Sequence, residues 1–183
     1  VGFFEKRKRE ITIDVSRLQG VLAVESYREV PVRIRNRNIE RRITISSRPR
    51  DADLSRIINV DLRPVVPPES GLAISSLLAD ILGVHVGDLV EVDLLEGQRR
   101  TVSLPVTALV ENYFGIKGMM DEQALARLMR EGPAVNAVNL SFDPTKSDLF
   151  YAAIKAMPTV SGLALQDLSL MNFRAAVAVF VTT

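Results

Sequence analysis

Apolar and polar positions alternate most sharply from Val30 onward. Val32 and Ile34 fall on one face of an extended segment and Arg33, Arg35 and Arg37 on the other, since strand side chains point to opposite faces in turn. Asn36-Arg37-Asn38 breaks the alternation with residues that turn a chain, asparagine tolerating left-handed backbone, and Ile39, Ile43 and Ile45 continue as a return strand. The pattern predicts a cationic hairpin. Upstream, the segment after Ile11 reads as a strand and a short helix around Val15 to Leu18, with Gly20 as a stop and Val21 to Val24 as the next extended piece, in β-α-β order.

Asp51 to Arg63 is less regular, and Arg63-Pro64-Val65-Val66-Pro67-Pro68 cannot be a central strand, because its three prolines lack backbone donors. A subdomain boundary is expected there. Leu72 to Ile74 then fit a strand, and Ser75 or Ser76 can cap a helix carrying Leu77, Leu78, Ile81 and Leu82 on one side, with Gly83 as its end. Gly87-Asp88 is a tight-turn signal before a strand over Leu89 to Leu94. Glu96-Gly97 turns the chain again, and Thr101 to Val110 reads as a strand broken by Pro105. Asp121 can cap a helix running through Glu131, terminated by Gly132-Pro133.

Val135 to Phe142 alternates as a strand. Asp143-Pro144 opens the clearest helix, with Leu149, Phe150, Ala153, Ile154 and Met157 as its apolar stripe and Pro158 as its stop, and Val160 to Leu165 returns as a strand. A second β-α-β unit therefore closes the chain. The expected fold is α+β: a split β-α-β subdomain over residues 1–65 and 135–183, with a mostly β subdomain carrying short helices inserted over 66–134. The chain opens on the apolar patch Val1-Gly2-Phe3-Phe4 and closes on AAVAVFVTT, and these ends read equally well as cut from longer apolar segments or as a core strand and a terminal helix.

A length of 183 residues with 47% hydrophobic content suffices to bury a core. The net charge of +1 conceals a division: residues 1–50 carry 13 Lys/Arg against 6 Asp/Glu, and residues 51–183 carry 10 against 16. Such asymmetry can orient a module at an anionic surface or draw two lobes together. Cysteine is absent, which excludes disulfides and thiolate metal sites, and His85 is the only histidine, which excludes His-rich zinc sites. No window approaches the roughly 20 apolar residues that span a bilayer.

Chemistry-bearing patterns are sparse. His85 lies near Asp80 and Asp88, but no glycine-framed serine elbow or cysteine nucleophile accompanies it, so it reads as a surface-turn residue rather than a catalyst. Asp51, Asp53, Asp61, Asp88 and Asp93 lack the spacing of a calcium loop. Gly115-Ile116-Lys117-Gly118 lacks the length and the Ser/Thr of a phosphate-binding loop. No catalytic residue, cofactor or metal site is expected. The arginines, above all Arg33, Arg35, Arg37 and Arg42, could meet an anion or a lipid headgroup through bidentate contacts, or form a plain solvated strand face. Nucleic acid is disfavoured, because aromatics make up only 5% of the chain and none interleaves with these arginines to stack bases. Tyr113, Phe114, Met119 and Met120 cluster around glycines and could form an apolar patch for a partner, or fill the core beneath a loop.

Four segments in order, GVLAVESYREVPVRI, PPESGLAISSLLADILGVHVGDLVEV, ALVENYFGIKGMMDEQALARLM and DPTKSDLFYAAIKAMPTVSGLAL, resemble the extracytoplasmic domain of FtsX-like permeases of the MacB and LolCDE type of ABC transporter. The resemblance runs from about Val15 to Leu165. It implies a porter-like α/β subdomain with a β-rich insertion, lying between two transmembrane helices on the periplasmic face of the inner membrane as a soluble part of an integral membrane protein. It further implies a non-catalytic domain, ATP hydrolysis in a separate cytoplasmic ATPase subunit and a second permease subunit. A periplasmic adaptor or a lipid or lipoprotein cargo is implied as an outer partner. The hairpin is more basic than the family pattern requires. The competing reading is a freestanding binding module for a peptide or other anionic partner, because strand-helix-Gly-Asp-strand segments also occur in small β-barrels.

Overall fold

The computed structural model describes residues 10–50, 54, 63–110, 115–132, 134–156, 160–166 and 176–181. In chain order its elements begin with α1 (Glu10–Ser16), β1 (Val21–Tyr27), β2 (Glu29–Asn36) and β3 (Ile39–Arg48). They continue with β4 (Leu72–Ser75), α2 (Ser76–Leu82), β5 (Leu89–Leu94), β6 (Thr101–Val110), β7 (Lys117–Asp121) and α3 (Glu122–Met129). Then come β8 (Ala137–Phe142), a 3-10 turn (Pro144–Lys146), α4 (Ser147–Lys155), β9 (Val160–Gln166) and β10 (Ala176–Val181). The whole is a strand-rich α+β fold in two compact units, one made of Val1–Tyr27 and Ala134–Thr183, the other of Arg28–Pro133.

The first unit is built on a sheet of order β1-β8-β10-β9. β8 pairs antiparallel with both β1 and β10, and β9 pairs antiparallel with β10. β8 and β9 thus run parallel to each other on either side of β10, and α4 lies between them in the chain. All six residues of β8 are buried, so both of its faces are covered. Its Leu140 and Phe142 join Val15 of α1 and Phe150 of α4 in one core. The Phe142 and Phe150 rings stack with centroids 4.5 Å apart, and Tyr151 meets both edge-on. Asp143 accepts from the backbone N and the hydroxyl of Thr145, which starts the turn into α4 and holds the Asp143 carboxyl below its ordinary pKa.

Three expectations for this unit change. The strand expected after Ile11 is helical, since α1 already covers Ile11. Within the closing AAVAVFVTT run, Ala176–Val181 is a strand, β10, paired on both sides. Leu149, placed in the apolar stripe of α4 by its spacing, is 57% exposed, while its neighbour Phe150 is fully buried. The expected stop at Pro158 lies outside the described residues, as do Val1 to Phe4.

The second unit is a closed barrel of order β2-β3-β7-β4-β6-β5. The β2–β3 and β5–β6 hairpins supply two antiparallel pairs, and β2 pairs antiparallel with β5. The β3–β7 and β4–β6 pairs are parallel. Inward positions of the alternating strands fill the interior with Val30, Val32, Ile34, Ile45, Leu72, Ile74, Val90 and Val92, to which α2 adds Leu78, Ala79 and Leu82. Ser75 caps α2 by accepting from the Leu78 amide, and the left-handed Gly83 ends it, as the spacing predicts. Asp121 caps α3 through the Gln123 and Ala124 amides. α3 stops at Met129, short of the expected Glu131, because Arg130 takes the left-handed conformation with φ 53°.

Barrel closure also relocates the domain division. The boundary expected at residues 65 and 66 falls instead between Tyr27 and Arg28, and again between Pro133 and Ala134. The cationic hairpin belongs with the barrel because β2 pairs with β5 and β3 pairs with β7. The proline-bearing stretch, far from ending a unit, lies inside it, and the Pro68 carbonyl accepts from the Asp121 amide. Pro105 does not break β6, which runs continuously from Thr101 to Val110. Its neighbour Val106 instead exchanges hydrogen bonds with the Gly87–Asp88 turn.

Candidate functional site

The hairpin turn forms where the alternation stops, but the left-handed residue in it is Arg37, with φ 53°, rather than either asparagine. Outward residues of β2 and β3 meet across the ladder as Arg33 with Arg42 and Arg35 with Glu40. On the other side of β2, Arg33 registers with Asp93 and Arg35 with Glu91 of β5. The stripe of arginines is therefore interleaved with carboxylates supplied by its neighbours. Arg35 Nε donates to Glu91 at 2.9 Å, with Asp93 at 3.8 Å, and Arg33 stands 3.9 Å from Glu40. The hydrogen bond to Glu91, then the charge of Asp93, raise the Arg35 pKa further and hold its guanidinium charged. Among the described residues no ion pair reaches Arg37 or Arg42, and both are exposed. This strand face is a salt-bridged mosaic whose free cations lie at the turn and on β3.

The second expected surface divides. Met119 and Met120 are 8% and 2% exposed and face opposite sides of β7, Met120 into the barrel core and Met119 toward Ala73 and Val110. They are core residues rather than a partner surface, because β7 is a barrel strand held between β3 and β4. Tyr113 and Phe114 lie outside the described residues. Nothing in the sequence pattern marked β7 as a strand, since its five residues KGMMD neither alternate nor contain a β-branched residue.

His85 stands on the exposed turn between α2 and β5. Its backbone N donates to the Asp88 carboxylate at 2.8 Å, and its Nδ1 lies 3.7 Å from the same oxygen. The Gly87 N donates to the Val106 carbonyl and the Val106 N to the Asp88 carbonyl, at 2.8 Å each, which ties the turn to β6. The Gly-Asp pair thus anchors the start of β5 to β6. At the same barrel end, Asn36 Nδ2 donates to the Leu82 carbonyl at the close of α2. Leu77, Val86 and Leu89 are each more than half exposed, though spacing had placed Leu77 in the buried face of its helix. Among the described residues no group of three His, Cys, Asp or Glu side chains could hold a metal ion, and no helix is long and apolar enough to cross a membrane.

One charged cluster carried no sequence signal at all. Arg28 joins Glu96 and Glu131, which lie 68 and 103 residues away in the chain. Burial raises the Glu96 carboxyl above its ordinary value; the charge of Arg28 opposes this and that of Glu131 adds to it.

No protein-family model matches the chain, and no curated protein sequence matches it. The fold does have a solved counterpart. The extracellular domain of the noncanonic ABC-type transporter YknZ from Gram-positive bacteria is similar in its crystal structure, with a TM-score of 0.55 over 78% of this chain and 77% of that one. At 13% sequence identity the likeness shows a shared fold and transfers no residue role. Neither unit alone is long enough to account for the matched share, so the similarity extends over both.

Proposed function

We propose that this chain is the extracytoplasmic domain of an FtsX-like ABC transporter permease of the MacB and LolCDE type. In this reading its split unit is the porter-like subdomain and its barrel the inserted one. The observation that carries the proposal is the shared fold with the extracellular domain of an ABC-type transporter, spanning both units and coinciding with an independent sequence resemblance. The layout suits the role: the first unit contains both ends of the chain and the barrel is spliced into it, so that one unit can be joined to membrane segments on either side while the other is carried by it. The domain has no catalytic part of its own. A separate cytoplasmic ATPase subunit hydrolyses ATP, a second permease subunit completes the membrane assembly, and the movement acts on a cargo or partner outside the inner membrane, such as a lipid, a lipoprotein or a periplasmic adaptor.

The full-length reading frame, with reporter fusions placed inside this segment, tests the proposal. Long apolar spans on both sides and activity of an export-dependent reporter are expected. A complete protein without spans, or a cytoplasmic reporter signal, overturns it and favours a freestanding binding module.

Within this reading, Arg33, Arg35, Arg37 and Arg42 are where an anionic headgroup would be met. Replacing all four by Gln is expected to leave the chain folded, since exposed pairs of this kind contribute about 0–1 kcal/mol each. Binding to vesicles containing anionic lipid at low salt is expected to fall at least several-fold. Unchanged vesicle binding by the folded variant removes the headgroup role and leaves the hairpin as a solvated, self-paired face.

A further inference from the structure

Arg28 is the first residue of the barrel unit, and Glu131 stands two residues before its last, Pro133. The chain therefore comes into the barrel at Arg28 and leaves it just after Glu131. Arg28 Nη2 donates to Glu96 Oε1 at 2.6 Å and reaches Glu131 Oε2 at 3.4 Å, with the Arg28 and Glu96 side chains 12% and 15% exposed. Glu96 sits in the turn between β5 and β6. A Cβ on the adjoining Gly97 would come within 3.1 Å of Glu131 Oε1, so this turn is packed directly against the outbound segment. The backbone of Arg28 meets β3 as well: its N donates to Ser47 Oγ at 2.8 Å and its carbonyl accepts from the Ser47 amide at 2.7 Å.

We infer that Arg28 is a clip joining the inbound and outbound crossings of the barrel through Glu96 and Glu131, so that the two crossings move together. A largely buried guanidinium shared by two carboxylates is a costly way to hold three segments, because apolar side chains of similar volume are often as stable or more so. What the ionic arrangement adds is direction and reversibility: each carboxylate holds its own segment, and losing one partner frees one segment. Burial and the neighbouring Glu131 raise the Glu96 carboxyl above its ordinary value, and the Arg28 charge opposes them. A displacement arriving along one crossing is then shared with the other. The inference rests on contacts inside the barrel unit alone and is independent of the proposed transporter role.

Hydrogen exchange on the whole 183-residue chain tests it, comparing wild type with Arg28→Met and Glu131→Gln. In Arg28→Met, exchange over residues 28–31 and 129–132 is expected to quicken at least tenfold, while residues 90–94 and 102–106 inside the barrel keep their protection. In Glu131→Gln, only 129–132 is expected to quicken, because Glu96 still holds Arg28. Unchanged exchange at either crossing in Arg28→Met overturns the clip, as does a uniform rise across the barrel, which would mark Arg28 as a general stability residue. Should Arg28→Met fail to fold, Glu131→Gln decides, since it alters a 41% exposed side chain, and no change at 129–132 overturns the clip.

Discussion

Replacing Gly71 by alanine is expected to destabilise the barrel by about 3 kcal/mol, the sum of a backbone penalty near 1–2 kcal/mol and an overpacking penalty of 1–3 kcal/mol. Gly71 has φ +78°, a left-handed conformation that disfavours any side chain. A Cβ there would also stand 2.5 Å from the Pro105 carbonyl oxygen, 2.7 Å from Thr107 Cγ2 and 2.9 Å from Pro105 Cγ. Thr107 can rotate away. The Pro105 carbonyl cannot, because it belongs to the backbone of β6 and is stiffened by its own ring. Relief would have to come from parting β4 and β6, one of the two parallel junctions that close the barrel. Gly83→Ala is the matched control: its φ of +63° carries the same kind of backbone penalty, but no atom lies within 4 Å of the new Cβ. A loss near 1 kcal/mol is expected there. Denaturant unfolding of both variants checks the difference, and equal losses would show that backbone strain alone, not the approach to Pro105, makes residue 71 a glycine.

Phe150→Ala is expected to cost about 3–5 kcal/mol, as large aromatic truncations in packed cores do. The ring is fully buried, stacks on Phe142 and meets the edge of Tyr151. The whole loss should fall on the first unit, because its core around Val15, Val138, Leu140, Phe142 and Phe150 shares no member with the barrel core. For a small domain whose total stability is about 5–15 kcal/mol, that can unfold the unit outright. Amides of β8 and of residues 21–27 should then exchange freely, while β2, β5 and β6 keep their protection. The milder Phe150→Leu, expected to cost about 1–2 kcal/mol, gives a graded result where the alanine variant is too severe. Equal loss of protection in the barrel would show that the two units fold as one cooperative body, and the independent-core description would fail.

Both results bear on whether the two units hold separate cores. The barrel has its own filled interior, and the chain passes between the two units at two places. Arg28 stands at one of those places and Glu131 beside the other. The arginine stripe, the most conspicuous pattern in the chain, is partly neutralised in place, because neighbouring strands supply Glu40, Glu91 and Asp93 as partners of Arg33 and Arg35.

What the sequence determined by itself is what local physics decides. The β2–β3 hairpin follows from period-two alternation, α2 from Ser75 and Gly83 at its ends, α3 from the Asp121 cap, and the Gly87–Asp88 turn from its residue types. Only the tertiary structure decided which of these pieces pair. That the hairpin belongs with the barrel is not legible in its own residues, because a strand's partners, β5 and β7 here, lie some 50 to 75 residues away and leave no trace in its alternation. β7 itself leaves no alternating pattern because both of its faces are covered, Met120 on one side and Met119 on the other. Met119 and Met120 fill the core, one of the two readings that their pattern allowed. The Arg28, Glu96 and Glu131 cluster was illegible in principle, since charged residues scattered along a chain signal nothing until barrel closure brings them within 4 Å and removes most of their water.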